Sequence, residues 1–177
     1  MAANAALKME HDTGAFFAEQ AVDLFVASPM SPYSDAEYAA SRESLIALVA
    51  ELKRRFGFEK VFCPGIVVSS AASFATSYDS VAEDLAALRS ASHFVLHYVN
   101  AVKSSAIFEA GIAYQLGLPS VYIVRKRADL PYLLRELEQF EHTQNGPVGA
   151  RVRIVEVGDA AGSVSALVTD DWFPAIT

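Results

Sequence analysis

The sequence predicts an α/β fold: a three-layer α/β/α sandwich around a five-stranded, mainly parallel, doubly wound sheet. Three observations predict it. Short β-branched apolar runs alternate with helical patterns along most of the chain. The run HFVLHYV (93–99) is apolar nearly throughout, as a parallel strand covered on both faces must be. With 177 residues, 53% of them hydrophobic, the chain is long enough for one well-filled core and short for two.

Each element follows from its residues. Residues 1–20 are Ala-rich and weakly patterned and are read as an N-terminal arm; residues 21–177 are read as one domain. The first strand is VDLFVA, Val22 to Ala27, closed by Ser28-Pro29. SPYSDAEYAASRESLIALVAELKRRFG gives a long amphipathic helix whose buried stripe is Leu45, Leu48, Val49, Leu52 and Phe56. Lys53, Arg54 and Arg55 occupy its last turn and Gly57 stops it. KVFCPG supplies the second strand, and the Ser- and Ala-rich stretch 65–78, with no clear period, reads as a loop. DSVAEDLAALRSA is a helix with Val81, Leu85 and Leu88 facing inward, and the 93–99 strand follows. SSAIFEAGIAYQLGLPSVYIV is a helix and then a strand, capped by Ser104 or Ser105, stopped by Gly117 and barred from continuing by Pro119. DLPYLLRELEQF makes a short helix with Asp129 as N-cap, RVRIVEV a fifth strand, and GSVSALVTDDW a closing helix.

Composition excludes several classes of function. Fourteen Lys and Arg stand against twenty-one Asp and Glu, a formal charge of −7, which weighs against a nucleic-acid surface. A single cysteine, Cys63, allows no internal disulfide and no paired-cysteine zinc site; a reducing, cytoplasmic compartment is expected. The N-terminus lacks the pattern of a signal peptide, and the apolar stretches are interrupted by Glu109, Gln115, Gly117 and Pro119, so no membrane span is expected. No dinucleotide fingerprint, phosphate loop or nucleophile elbow occurs, and neither cofactor nor metal is expected. His93 and His97 lie on one side of a strand, a placement that favours the core over metal ligation.

Two acids carry the chemistry. Glu109 is the only charged residue between Ser104 and Val124, and burying an unpaired carboxylate is expensive. Helical spacing seats it near the N-terminus of its helix on the apolar side, where the macrodipole favours negative charge. Closing the first turn, or pairing with Lys103 or an arginine, is the other reading of its position. Asp84 lies at the border of the apolar stripe of the 79–91 helix, between Val81 and Leu88; its other reading is a surface acid. Two carboxylates about one cleft suit glycosidic chemistry. In a sheet of the flavodoxin-like kind, ligands collect at the carboxyl ends of the strands. That rim carries Ala27 to Tyr33, the 65–78 loop, Asn100 to Ser105, and Arg125 to Arg127. The Arg125-Lys126-Arg127 run reads as a solvated loop or as a phosphate contact.

Ser104-Ser105-Ala106-Ile107-Phe108-Glu109-Ala110-Gly111-Ile112-Ala113, ending in Leu116-Gly117-Leu118-Pro119, resembles the catalytic segment of the nucleoside 2-deoxyribosyltransferase family. Phe25-Val26-Ala27-Ser28-Pro29 looks like that family's opening strand, and Asp84-Leu85 like its Asp-bearing helix. The 2-deoxynucleoside 5-monophosphate N-glycosidases share this layout, which overlaps the TIR-like fold. The resemblance implies that Glu109 attacks the anomeric carbon and that Asp84 manages the leaving base. It implies Ser104 and Ser105 as contacts for a sugar hydroxyl or 5-phosphate, and a homodimer or homotetramer, with which a mean hydropathy of +0.25 agrees. The candidate substrate contacts are Phe25, Ser28, Pro29, Met30, Tyr33, Asn100, Lys103, Ser104, Ser105 and Arg125. Four departures stand out. Phe25 replaces a common Tyr, Ser105 a usual Gly, and Lys103 a frequent Asp; the stretch Trp172 to Thr177 lacks a terminal Asn. They weigh against base exchange more than against bond cleavage, and Lys103 with Arg125 favours a phosphorylated substrate. The implied activity is cleavage or exchange of the base of a nucleoside or nucleotide. The alternatives are a TIR-like NAD-cleaving enzyme and a nucleotide sensor without turnover.

Overall fold

Five short strands make one sheet: β1 (Leu24–Ala27), β2 (Val61–Phe62), β3 (His93–Tyr98), β4 (Ser120–Val124) and β5 (Val152–Glu156). Their order is β2-β1-β3-β4-β5 and every neighbouring pair is parallel. The computed structural model describes residues 21–30, 34–67, 77–166 and 172–173. The N-terminal arm 1–20, most of the 65–78 loop, the tail of the closing helix at 167–171 and the last four residues lie outside them.

Helices cover both faces of the sheet. On one lies α1 (Asp35–Phe56); after β2 comes one turn, α2 (Pro64–Val67), and then α3 (Ser77–Ser90), α4 (Ala106–Gln115), α5 (Tyr132–Gly149) and α6 (Ala160–Ala166). Strand alternation divides the core in two. Leu24, Val26, Val95, Val99, Val121 and Ile123 pack with Leu45, Leu48, Leu52 and Trp172, beneath α1 and α6. Phe25, Ala27, Phe94, Leu96, Tyr98, Tyr122 and Val124 pack with Leu88, Ala106, Ala110, Ala113 and Leu134, beneath α3, α4 and α5. The predicted three-layer architecture is the observed one, with a sheet that is parallel throughout.

The helix boundaries rest on local chemistry. Ser34 and Glu37 form a reciprocal capping box: the Ser34 N–H donates to Glu37 Oε2 at 2.8 Å, and the Glu37 N–H donates to Ser34 Oγ at 3.4 Å. Gly57 closes α1 at φ 75°, its N–H bonded to the Lys53 carbonyl. Gly117, also at φ 75°, ends α4 in a Schellman arrangement: its N–H donates to the Tyr114 carbonyl and that of Leu118 to Ala113.

The structure corrects four elements. Residues 64–67 of the expected strand-to-loop junction form the α2 turn. α3 begins two residues earlier than its periodicity suggests, and Val81, expected inside, is 53% exposed; Ala87, Leu88 and Ala91 face the core instead. Asp129 caps no helix; it lies in a 3₁₀ turn (Arg127–Asp129) and accepts a bond from Arg125 Nε at 3.0 Å. α5 runs on past Phe140, with a break at Gly146 (φ 73°). Glu141 explains the extension. It is 2% exposed and accepts from Tyr114 Oη at 2.8 Å, Asn145 Nδ2 at 2.9 Å and Arg151 at 2.8 Å, tying α5 to α4 and to the foot of β5.

Leu48 is fully buried at the centre of the α1 layer. Leu48→Ala is expected to lower unfolding free energy by about 2–5 kcal/mol, read as a drop in the urea midpoint with an unchanged slope. A midpoint within error of the parent would mean that α1 does not close this core.

Candidate active site

A parallel sheet of this order opens at its carboxyl edge between β1 and β3, where successive connections leave in opposite directions. The segment that follows β3 carries Glu109. Tyr98 Oη donates to the Val102 carbonyl at 2.8 Å, and the Val102 N–H donates to the Asn100 carbonyl at 2.8 Å, bracing the loop. Ser104 Oγ then accepts from the Ala106 N–H at 3.1 Å and starts α4. Ala106, Ala110 and Ala113 have no exposed surface; three methyl-sized side chains let the helix lie flush on the sheet. Glu109, on the same side of the helix, is thereby carried into the interior at 7% exposure.

Its environment is that of a strained acid. Burial, then the nearby charge of Asp84, pushes the Glu109 carboxyl up to about 7, while a hydrogen bond from the Ser105 side chain pulls the other way. Among the described residues no cation acts on it. Asp84, partly buried on α3, is raised to about 6 by burial and by the charge of Glu83. Cys63, just past β2, is buried and pushed up to about 12, chiefly by burial, with the Glu109 charge a smaller contribution. It stays a neutral thiol and packs in the core beneath α1. The structure thus brings together Glu109, Asp84 and Ser105, with Cys63 close enough to feel the charge. Two acids sharing apolar surroundings without a cation can hold one proton between them, which suits one to attack and the other to protonate.

The other sequence candidates separate. Phe25, expected as a substrate contact, has no exposed surface; its ring lies 5.3 Å from that of Phe62 and 5.9 Å from that of Phe94, deep in the core below α4. Ser28 is 7% exposed, and its hydroxyl has no partner among the described residues. It is packed against Gly65, where an added Cβ would come within 2.8 Å of Ser28 Oγ and 2.7 Å of Leu45 Cδ1; Met30 borders the same spot. Lys103 is exposed on the rim, and Tyr33 lies outside the described residues.

Pro29, Asn100 and Arg125 line a cleft of about 520 Å³ on the α1 side of the sheet, and Glu109 is not among its walls. The expected single rim is therefore divided by the sheet, with the two acids on the α3–α4 side and this cleft on the other. The basic run is engaged by carboxylates: Arg125 and Lys126 with Asp129, and Arg127 with Glu138 and Glu156. Sequence reasoning missed His97 as a cleft residue. It is 3% exposed, lines the cleft, bonds through Nε2 to Ser163 Oγ at 3.1 Å, and burial lowers it to about 4. Period-two alternation with Val95 and Val99 placed it on the α1 face, but sequence alone gave no sign that this face opens. Ser41, in the buried stripe of α1 between Tyr38 and Leu45, and Glu37 and Ser44 at its border were missed for the same reason.

Among solved structures, the chain is similar to the CMP N-glycosidase BcmB of Clostridium botulinum, with a TM-score of 0.57 and 15% identity over 84% of this chain and 99% of that one. It is also similar to a conserved protein of Enterococcus faecalis V583, with a TM-score of 0.48 and 12% identity over 84% and 98% of the two chains. No protein-family model matches the chain, and no curated protein matches it in sequence. The first likeness extends to the fold as a whole. Among the described residues no helix is long and apolar enough to cross a membrane.

The raised carboxyl of Glu109 has a thermodynamic signature. A folded-state value above the unfolded one means that the folded protein binds the proton more tightly, so stability falls as pH rises from 4.5 towards about 7. Glu109→Gln removes that penalty. The variant is expected to match the parent near pH 4.5 and to exceed it by on the order of 3 kcal/mol above neutrality. Denaturant titrations at pH 5 and pH 8 check this; a constant difference between the two pH values would show that the acid is not desolvated.

Proposed function

We propose that the chain cleaves the N-glycosidic bond of a nucleoside or nucleoside 5-monophosphate, with Glu109 as nucleophile and Asp84 as the acid for the departing base. The observation that carries this reading is the pairing of a buried Glu109, with no cation set against it among the described residues, with Asp84 at the carboxyl edge of the sheet. The shared fold with a protein named as a CMP N-glycosidase supports it and makes CMP the first substrate to test.

The steps balance as follows. A Glu109 carboxylate oxygen forms a bond to the anomeric carbon as the bond from that carbon to the base nitrogen breaks. The bonding pair leaves with the base, and the Asp84 proton passes to it. Water then attacks the anomeric carbon as the bond from that carbon to the Glu109 oxygen breaks, the bonding pair returning to the Glu109 carboxylate, and gives its proton to the Asp84 carboxylate, which restores both acids. Charge developing on the sugar in both transition states is met by a carboxylate held in apolar surroundings, where its field is little screened. The start of α4 faces the same site; Ser104 is used as its cap, and Ser105 steadies Glu109. Their roles here are to orient the nucleophile.

The competent form is the singly protonated pair with Glu109 charged and Asp84 protonated, the minor of its two arrangements, because Glu109 holds its proton to higher pH than Asp84 does. kcat/KM is therefore expected to follow a bell with its maximum between about 6 and about 7, the apparent values of the pair. Base release from CMP and a panel of other nucleoside monophosphates, nucleosides and NAD, followed by chromatography, is expected to fall at least about a thousandfold in Glu109→Ala with circular dichroism unchanged. Asp84→Asn is expected to flatten the alkaline limb. Undiminished base release by Glu109→Ala removes the proposal.

A further inference from the structure

The cleft on the α1 side uses no part of the acid pair, yet it is built like a ligand site. Its floor is the carboxyl end of β3, with His97 and Val99 buried, and its side walls are Pro29 after β1 and Arg125 after β4. These strands flank β3, so the walls stand about two strand spacings apart, roughly 10 Å. α1 forms the third wall through Glu37, Ser41 and Ser44. A volume of about 520 Å³ suits a small metabolite.

The polar groups are sorted by sign. At the β4 wall, Arg125 is held by its Nε to Asp129 Oδ2 at 3.0 Å, and no bond from its terminal nitrogens is made among the described residues. A tethered guanidinium with a free edge is a fork for a phosphoryl or carboxylate group. The α1 wall offers the opposite chemistry. Glu37 is a carboxylate already fixed by the Ser34 N–H and hydroxyl, and it can accept further hydroxyl donors but repels an anion. Ser41, Ser44 and Asn100 add neutral donors and acceptors, and His97 is kept uncharged by burial and is fixed by Ser163. A ligand that fits carries an anion at one end and several hydroxyls at the other.

We propose that this cleft is a second ligand site, separate from the acid pair, and that it binds a phosphorylated sugar through Arg125 at the phosphate and the α1 wall at the hydroxyls. The acid-pair reading is independent of it, since one is tested by base release and the other by binding.

Glucose 6-phosphate, which the proposed reaction neither consumes nor releases, is the probe, titrated by calorimetry into the parent, Glu109→Gln, Arg125→Gln and Ser41→Tyr, each checked for folding by circular dichroism. Binding is expected in the parent and, at the same affinity, in Glu109→Gln. It is expected to weaken about tenfold or more in Arg125→Gln, which loses the charged contact, and in Ser41→Tyr, which fills the space. Inorganic phosphate is expected to compete, and unphosphorylated glucose to bind at least tenfold more weakly. No binding to the parent at millimolar ligand, unchanged affinity in both cleft variants, or loss confined to Glu109→Gln overturns the proposal; the last result would assign the ligand to the acid pair.

Discussion

A carboxylate held out of water, with no cation beside it among the described residues, is the constraint to which the carboxyl edge of this sheet conforms. Glu109 is admitted by its setting: the alanine stripe of α4 brings the helix against the sheet, the helix N-terminus supplies partial positive charge, and Ser105 provides a hydrogen bond. None of these equals an ion pair, and the carboxyl responds by holding its proton to about 7. Domains of this size retain only about 5–15 kcal/mol of net stability, so an acid kept at such cost is a large fraction of the whole. Elsewhere the chain pairs its acids readily: Glu141 with Arg151, Glu138 with Arg127, Asp129 with Arg125. Cations were therefore available to the sequence, and among the described residues none is set against Glu109. On the reading proposed above, that cost belongs to a site where chemistry, not folding, sets the residue.

The sheet topology decides what Glu109 can share. Because alternate residues of β1 and β3 face opposite layers, neighbours in sequence are delivered to opposite sides: Phe25 and Ala27 beneath α3 and α4, Val26 beneath α1. Asp84 reaches Glu109 because α3 and α4 pack on the same layer. Arg125 does not, although it follows the adjacent strand β4, because it turns to the α1 side. Closeness along the carboxyl rim does not amount to membership of one site.

Where local chemistry is decisive, the fold was legible in the sequence. Gly57 and Gly117 ended their helices by the φ they adopt, and the 93–99 run became the central strand its composition demanded. The Glu109 seat was legible for a similar reason, since a lone acid in an apolar helix has few places to go. What failed depended on tertiary partners. Val81 has the right spacing for the stripe but sits in the first turns of α3, ahead of the point where the helix meets the core at Ala87 and Leu88. The extension of α5 is held by Glu141, whose partners Tyr114 and Arg151 are 27 residues before it and 10 after. Phe25 was expected to touch substrate and is packed solid, while His97 was expected in the core and is buried, but at the floor of a cleft. Both lie on β strands whose alternation was readable, but which face would be packed solid and which would open was set by helices elsewhere in the chain.

The loop from Val99 to Ser105 is where the two layers meet. One end, at Asn100, borders the α1 cleft, and the other starts the helix that carries Glu109. A free loop would leave Glu109 to wander, and in the role proposed for it a misplacement by about 1 Å would cost on the order of a hundredfold in rate. The bond from Tyr98 to the Val102 carbonyl and the turn from Val102 back to Asn100 hold the loop to the end of β3 from within. Tyr98 is itself 5% exposed and belongs to the core beneath α4, so the brace is anchored in packed side chains. The position of the acid is thus inherited from the sheet through one tyrosine, and the same tyrosine fixes the edge of the cleft on the far side. Whatever occupies that cleft touches a loop whose other end is the start of α4, so the two faces are joined by structure even though they share no side chain.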